Sequence, residues 1–246
     1  MLRPLILVLA VALSLPLTAQ AGQQKKSADS VVMNSHGFLS AHPDLNWRLK
    51  GLEAYQKGEF EEALMLFRKA ARYADKPAQG MVAEMLWQGQ GTAQDKPLAY
   101  AWMDLAAERM YPTMVLNRER YWKQLDEAQR AEAIERGKAV FAEFADAVAK
   151  PRLEVQLRRA RNSATGSRAG GAGRTVAISI AGPGGMTTID GSQYYQDKFW
   201  EPEQYWTWQD NDWRVLPRGR VDIGPLEALP PEGAKAEGEA ESDPAG

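Results

Sequence analysis

Tryptophans interleaved with acids are the sequence's strongest hint of chemistry. Tyr194, Tyr195, Phe199, Trp200, Tyr205, Trp206, Trp208 and Trp213 fall within twenty residues, with Glu201, Glu203, Asp210 and Asp212 among them. Indole faces stack on sugar rings, and carboxylates accept hydrogen bonds from sugar hydroxyls. Trp200, Tyr205, Trp206, Trp208 and Trp213 are therefore candidate binders of a cell-wall glycan. A glycosidase needs more: two carboxylates at a defined separation, one with a raised pKa. Four acids in a short aromatic stretch do not specify that pair, and no catalytic residue is assigned. The favoured reading of the rings is structural. Each buried ring brings a large apolar area at low entropic cost, and the segment holds too few aliphatic residues for a core of its own. It reads as an anchor onto another surface.

Other chemistries are excluded by composition. The 246 residues contain no cysteine, which removes disulfides, thiolate zinc sites, iron–sulfur clusters and cysteine nucleophiles. The only histidines are His36 and His42, so a histidine triad or a multi-histidine metal site has little to draw on. No metal and no cofactor is expected. Formal net charge is −2, which gives no global attraction to nucleic acid. The charge is unevenly placed. Arg152 to Arg174 carries six arginines and one acid, and Glu227 to Gly246 six acids and one lysine. Nucleic acid is not expected as a partner, and the basic stretch reads as solvated, with Arg152 to Arg161 able to extend as a basic helix and Asn162 to Gly173 as a flexible linker.

The elements that would position these residues are mostly helices. Trp47, Gly51, Ala54 and Tyr55 share a helical face, and Lys57-Gly58-Glu59 makes a turn. Phe60, Ala63, Leu64, Phe67, Ala70 and Ala71 then recur at steps of three and four. Small residues facing large ones let antiparallel helices approach closely. In the next unit Ala78, Val82, Ala83 and Leu86 form a stripe that Gly89-Gln90-Gly91 breaks. Asp95 caps the following helix, Pro97 sits in its first turn, and Ala99, Trp102, Ala106 and Ala107 form its stripe. A third hairpin is read from Pro112 through Trp122 and from an Asp126/Gln129 capping box onward. Its last helix keeps a three–four period through Val148 and is expected to stop at Lys150-Pro151.

The stretch from Trp47 to Ala71 resembles a tetratricopeptide repeat. Ala78, Gly89, Gly91, Asp95, Ala99, Trp102, Ala106, Ala107 and Glu108 resemble the Sel-one-like repeat, a short relative of it. The departures are Val82-Ala83, Leu86, Leu98 and Met110, where that family favours other residues. The resemblance implies a stack of α-hairpins acting as a protein-interaction scaffold, with the partner on its concave face. Tyr55, Trp87, Tyr100 and Trp102 are candidate contacts there, although stripe aromatics usually hold helices together.

The ends complete the picture. Arg3, the apolar run from Leu5 to Leu17 and Ala19-Gln20-Ala21 read as a secretory signal peptide cleaved after Ala21. Thirteen residues are too few for a spanning helix, which needs roughly 20. The mature protein is expected in the periplasm or outside, without a membrane span. The organisation expected is a signal peptide over 1–21, a lead-in over 22–43, read as a tether or irregular segment, and a helical repeat domain over 44–161. A Gly/Ser/Arg linker over 162–174 and an aromatic segment over 175–226 follow. That segment includes a β-hairpin built on Val176 to Ala181 and Met186 to Ile189, and a short strand within 218–224. An acidic tail read as disordered closes the chain over 227–246. The fold class is mainly α, an antiparallel helical-hairpin solenoid with a small β-containing appendage. The function expected is a non-catalytic adaptor for another envelope protein or peptide, the alternative being a wall-glycan binder.

Overall fold

Caps and breakers divide the chain into short helices. The computed structural model describes residues 28–164, 177–182 and 185–214. The leader, most of the linker, the 218–224 strand and the acidic tail lie outside these residues. The chain enters through α1 (Ala28–Met33) and α2 (His36–Ala41). Ser35 caps α2 by accepting from the Phe38 amide at 3.3 Å. This corrects in part the tether or irregular lead-in expected over 22–43. Residues 22–27 lie outside the described residues; over 28–43 the chain is largely helical and Val32 and Phe38 are fully buried, so this part is packed structure.

The hairpins follow. Helices α3 (Pro43–Gln56) and α4 (Phe60–Ala71) lie antiparallel, as do α5 (Lys76–Gln88) and α6 (Lys96–Ala106). In α4 the stripe Ala63, Leu64, Phe67, Ala70 and Ala71 is buried, while Glu61, Glu62 and Arg68 face out. Gly51 of α3 lies against the Phe67 ring, where an added Cβ would sit 2.8 Å away. Asp75 caps α5, accepting from the Ala78 amide at 2.8 Å, and Asp95 caps α6, accepting from Leu98 at 3.1 Å. Gly89 ends α5 in the left-handed region at φ 71°. Gly91, at φ 67°, passes so close to the start of α4 that a Cβ would run into the Phe60 carbonyl.

A 3₁₀ turn (Ala107–Arg109) leads to α7 (Pro112–Gln124) and α8 (Glu127–Phe144). Both halves of the Asp126/Gln129 capping box are present, at 2.8 and 3.1 Å. The third pair is splayed. Helix α7 stacks Tyr121 on Trp87 of α5, with ring centres 4.0 Å apart, whereas α8 lies along α6 with Gly137 under Ala101. Arg136 of α8 grips the Asp95 carboxylate from two nitrogens, at 2.9 and 2.6 Å, and so ties α8 to the cap of α6.

The helix break falls at Ala145, whose backbone is extended (φ −61°, ψ 155°), and not at Lys150-Pro151 as expected. Helix α9 (Asp146–Ala164) runs through Pro151 and takes in the first part of the basic stretch, Arg152 to Arg161. Pro151 and Ala147 are both exposed. The carbonyl that loses its amide partner there is thus on the wet side of the helix.

Strands β1 (Ala177–Gly182) and β2 (Gly185–Asp190) pair antiparallel with Ile178 opposite Ile189. Then come α10 (Gly191–Tyr194), α11 (Asp197–Trp200) and α12 (Pro202–Arg214). The aromatic block is thus largely helical. Besides the hairpin core, two clusters hold the molecule. One gathers Val32, Phe38 and Leu45 from the entry with Ile189, Tyr194, Phe199 and Trp200. The other gathers Ala74 and Ala149, Leu153 and Leu157 of α9 with Tyr205 and Trp206 of α12. Among the described residues no helix is long and apolar enough to cross a membrane.

Candidate functional site

The site is a polar seam where α12 crosses the stack. It begins at Lys76 in the first turn of α5. Lys76 is enclosed and gives hydrogen bonds from Nζ to Gln79 Oε1 (3.1 Å), the Leu105 carbonyl (3.1 Å) and Glu108 Oε2 (2.6 Å), with Asp146 Oδ1 at 3.1 Å. Burial pushes the Lys76 ammonium down, and the acids push it back. Its hydrogens are committed to these acceptors, so it acts as an ionic tie between α5, the 3₁₀ turn and α9. Arg109, from the 3₁₀ turn, holds both oxygens of Asp146 at 2.6 and 3.0 Å and the Ala74 carbonyl at 3.1 Å. Burial alone would raise the Asp146 carboxyl; the Arg109 hydrogen bonds and charge outweigh it and hold the group far below the usual carboxylate range. These ties draw Asp146 inward, which accounts for the helix break at Ala145.

Helix α12 presents one stripe to this seam: Tyr205, Trp206, Gln209, Asp210 and Trp213, spaced i, i+1, i+4, i+5 and i+8. Fully buried Tyr205 hydrogen-bonds Asp44 of α3, and Gln209 donates to the Tyr205 oxygen at 3.0 Å. Trp206 donates to Glu154 of α9 at 3.2 Å and lies 4.8 Å beneath the Arg109 guanidinium. Asp210 accepts from the Tyr111 hydroxyl at 2.6 Å. Trp213 sits 6.0 Å under Arg48 of α3, which itself pairs with Asp75 at 2.9 Å. Asp44 Oδ1 is buried without a hydrogen-bond partner among the described residues. Burial pushes the Asp44 carboxyl up to about 6 despite the Tyr205 bond and the Arg48 charge. Burial also raises Asp75, and the Asp44 charge adds to that rise. A cavity of about 10 Å³ adjoins them, lined among others by Asp44, Lys76, Arg109 and Gln209.

His42 clasps the two ends of the chain. Its Nδ1 lies 2.8 Å from the Phe38 carbonyl and its Nε2 2.8 Å from the Phe199 carbonyl in α11. The ring stacks on Phe38 with centres 3.7 Å apart. Both neighbours are acceptors, which suits imidazolium, yet burial pushes the group down to about 4. At neutral pH the ring is neutral and gives one of the two bonds. Lys198 pairs with Asp29 at 2.5 Å and closes the same junction from outside.

The repeat residues are all found at packing or turn positions. Ala78, Ala99, Trp102, Ala106 and Ala107 are buried, Gly89 and Gly91 make the turn, and Asp95 is cap and ion-pair partner. Trp87 is buried with them; Tyr55 and Tyr100 are half-buried. Of the five aromatic candidates, Trp200, Tyr205 and Trp206 are only 5, 0 and 8 % exposed, which leaves no ring face for a sugar. Trp208 and Trp213 are half-buried against neighbouring groups. Of the four acids of the block, Glu201 and Glu203 line one open pocket with Glu154, Arg158 and Arg161, and Glu201 pairs with Arg161 there; Asp210 is taken by Tyr111 and Asp212 is exposed. Among the described residues no group of acids and histidines is placed to hold a metal. Asp44, Arg48, Lys76 and Arg109 were not singled out by the sequence. The one signal available was the i, i+4 pair Asp44/Arg48 on a helix entry.

No protein-family model matches the chain. No curated protein matches it either. Among solved structures it is similar to a protective antigen present in uropathogenic Escherichia coli strains and displaying an SLR fold. The TM-score is 0.40 at 23% identity, over 47% of this chain and 26% of that one. The chain thus spans about a quarter of the antigen's length.

Proposed function

We propose that the protein is an exported, non-catalytic interaction scaffold whose helical stack holds a segment of another envelope protein. The observation that supports this is the seating of α12. The stack takes an amphipathic helix across α3, the 3₁₀ turn and α9, using Asp44, Arg109 and Glu154 from distant parts of the chain. A surface of that kind is built to recognise a helix, the mode in which stacked hairpins offer side chains to a partner. The export half of the proposal rests on the leader read from Arg3 to Ala21.

The test is site-specific photo-cross-linking in the native envelope. Probes at Met65, Leu116 and Ile134 report on exposed apolar positions of the stack, at 47, 64 and 57 % exposure. A fourth probe at Glu203 reports on the outer side of α12. The same protein captured from more than one position, and again with purified components, is the expected result. Recovery of wall fragments alone would replace the scaffold with the glycan-binding alternative.

A further inference from the structure

We infer that the seat of α12 is itself the partner-binding face, with α12 as its built-in occupant, and that the external partner is an amphipathic helix carrying the same aromatic–amide–acid stripe. The inference rests on the scaffold reading above and names its surface and ligand.

Three observations carry it. First, α12 meets the stack through the stripe Tyr205, Trp206, Gln209, Asp210 and Trp213, with Trp208 half-buried beside it on Phe199. Glu203, Gln204, Thr207, Asn211 and Asp212 are exposed. A helix from another chain with an aromatic pair, an amide and an acid one turn later and a third aromatic can make the same contacts. Second, the seat uses the residue types that dominate binding energy at interfaces. Arg109 covers Trp206, Arg48 covers Trp213, and Tyr205 and Tyr111 each hydrogen-bond a carboxylate. Third, closing α12 onto the seat is compromised. It buries Asp44 with one oxygen unpaired, and Asp44 and Asp75 share a single guanidinium, Arg48. Opening the seat rehydrates both acids, so part of the cost of losing α12 is returned. A permanent core does not need that compromise; a seat that exchanges its occupant tolerates it.

The test uses the full mature chain and a labelled peptide of residues 201–214. The peptide is expected to bind saturably by displacing α12 in a fraction of molecules. Peptides carrying Tyr205→Ala or Trp206→Ala should not bind. The decisive variant is Tyr205→Phe in the chain, which keeps the ring and deletes the bond to Asp44. It weakens the internal occupant and leaves the seat intact, so the unmodified peptide should bind about fivefold more tightly, the population factor for one lost hydrogen bond. A merely structural α12 gives no saturable binding to either chain, or equal binding to both, and overturns the inference. Concentration-dependent dimers of the Tyr205→Phe chain would make a second copy the occupant and overturn the assignment to a foreign helix. Peptide exchange without any cross-linked envelope partner would keep the seat and remove the scaffold reading. A cross-linked partner without exchange would do the reverse.

Discussion

His42 and Asp44 stand two residues apart, and burial displaces both pKa values in opposite chemical senses. His42 falls from 6.5 to about 4, so between those values the unfolded chain carries a proton that the folded chain lacks. Stability from His42 is full above pH 6.5 and is lost as pH drops toward 4. Asp44 rises from 3.8 to about 6, so the folded chain carries the extra proton there. Stability from Asp44 is full below pH 3.8 and is lost as pH rises through 6. The two contributions offset each other between pH 4 and 6. Single variants should separate them. Asp44→Asn leaves the His42 dependence, a loss of about 3 kcal/mol on acidification from pH 7 to 4. His42→Gln leaves the Asp44 dependence, a loss of about 3 kcal/mol in the other direction, from pH 4 to 7. Urea midpoints across that range give the slopes, and slopes of the same sign in both variants would refute the account.

At the scale of the element, α9 and α12 show where local rules bend. Proline in the second turn of a helix deletes one backbone bond, and a sequence reading places a stop there. Asp146 overrides it, because its carboxylate is tied to Arg109 and Lys76 at the start of the helix and Leu153 and Leu157 are buried further on. Packing worth several buried side chains outweighs one lost bond. Pro151→Ala should therefore restore the bond to Ala147 and stabilise the protein by about 1 kcal/mol, read as a rise in urea midpoint. A fall would mean that Pro151 fixes the course of α9. Helix α12 was missed for a different reason. Its stripe is polar at two of five positions, Gln209 and Asp210, and polar stripe residues are invisible to a hydrophobic period. Pro202 in the first turn and the spacing of Tyr205, Gln209 and Trp213 carried the helical signal.

On the scale of the whole molecule, the two ends of the described chain meet. Phe38 and His42 of the entry pack on Phe199 and Trp200, and Asp44 binds Tyr205. The repeat stack is thus not independent of the aromatic block. A chain ending at Arg161 should lose at least ~3 kcal/mol, since it uncovers Phe38, Leu153 and Leu157 together. Hydrogen exchange should report it first in α1 and α2, which lose their partners, while α5 and α6 stay protected. Equal protection of α1 and α2 in both chains would show that the entry folds without the block. Local signals determined much of the architecture. Periodicity, the caps at Asp95 and Asp126 and the glycines at 89 and 91 are short-range, because each depends on neighbours within one helical turn or one loop. The β-hairpin was legible for the same reason, through alternation about a glycine-rich turn. Only tertiary structure decided that residues 28–43 are folded, that α8 leaves α7 for α6, and that Trp200 and Trp206 point inward. It also brought Asp44, Arg48, Lys76, Arg109 and Tyr205 to one seam. Those groups come from segments as far apart as 161 positions, and no period links such residues. Their meeting is set by burial and charge pairing, terms that exist only once the chain has closed on itself.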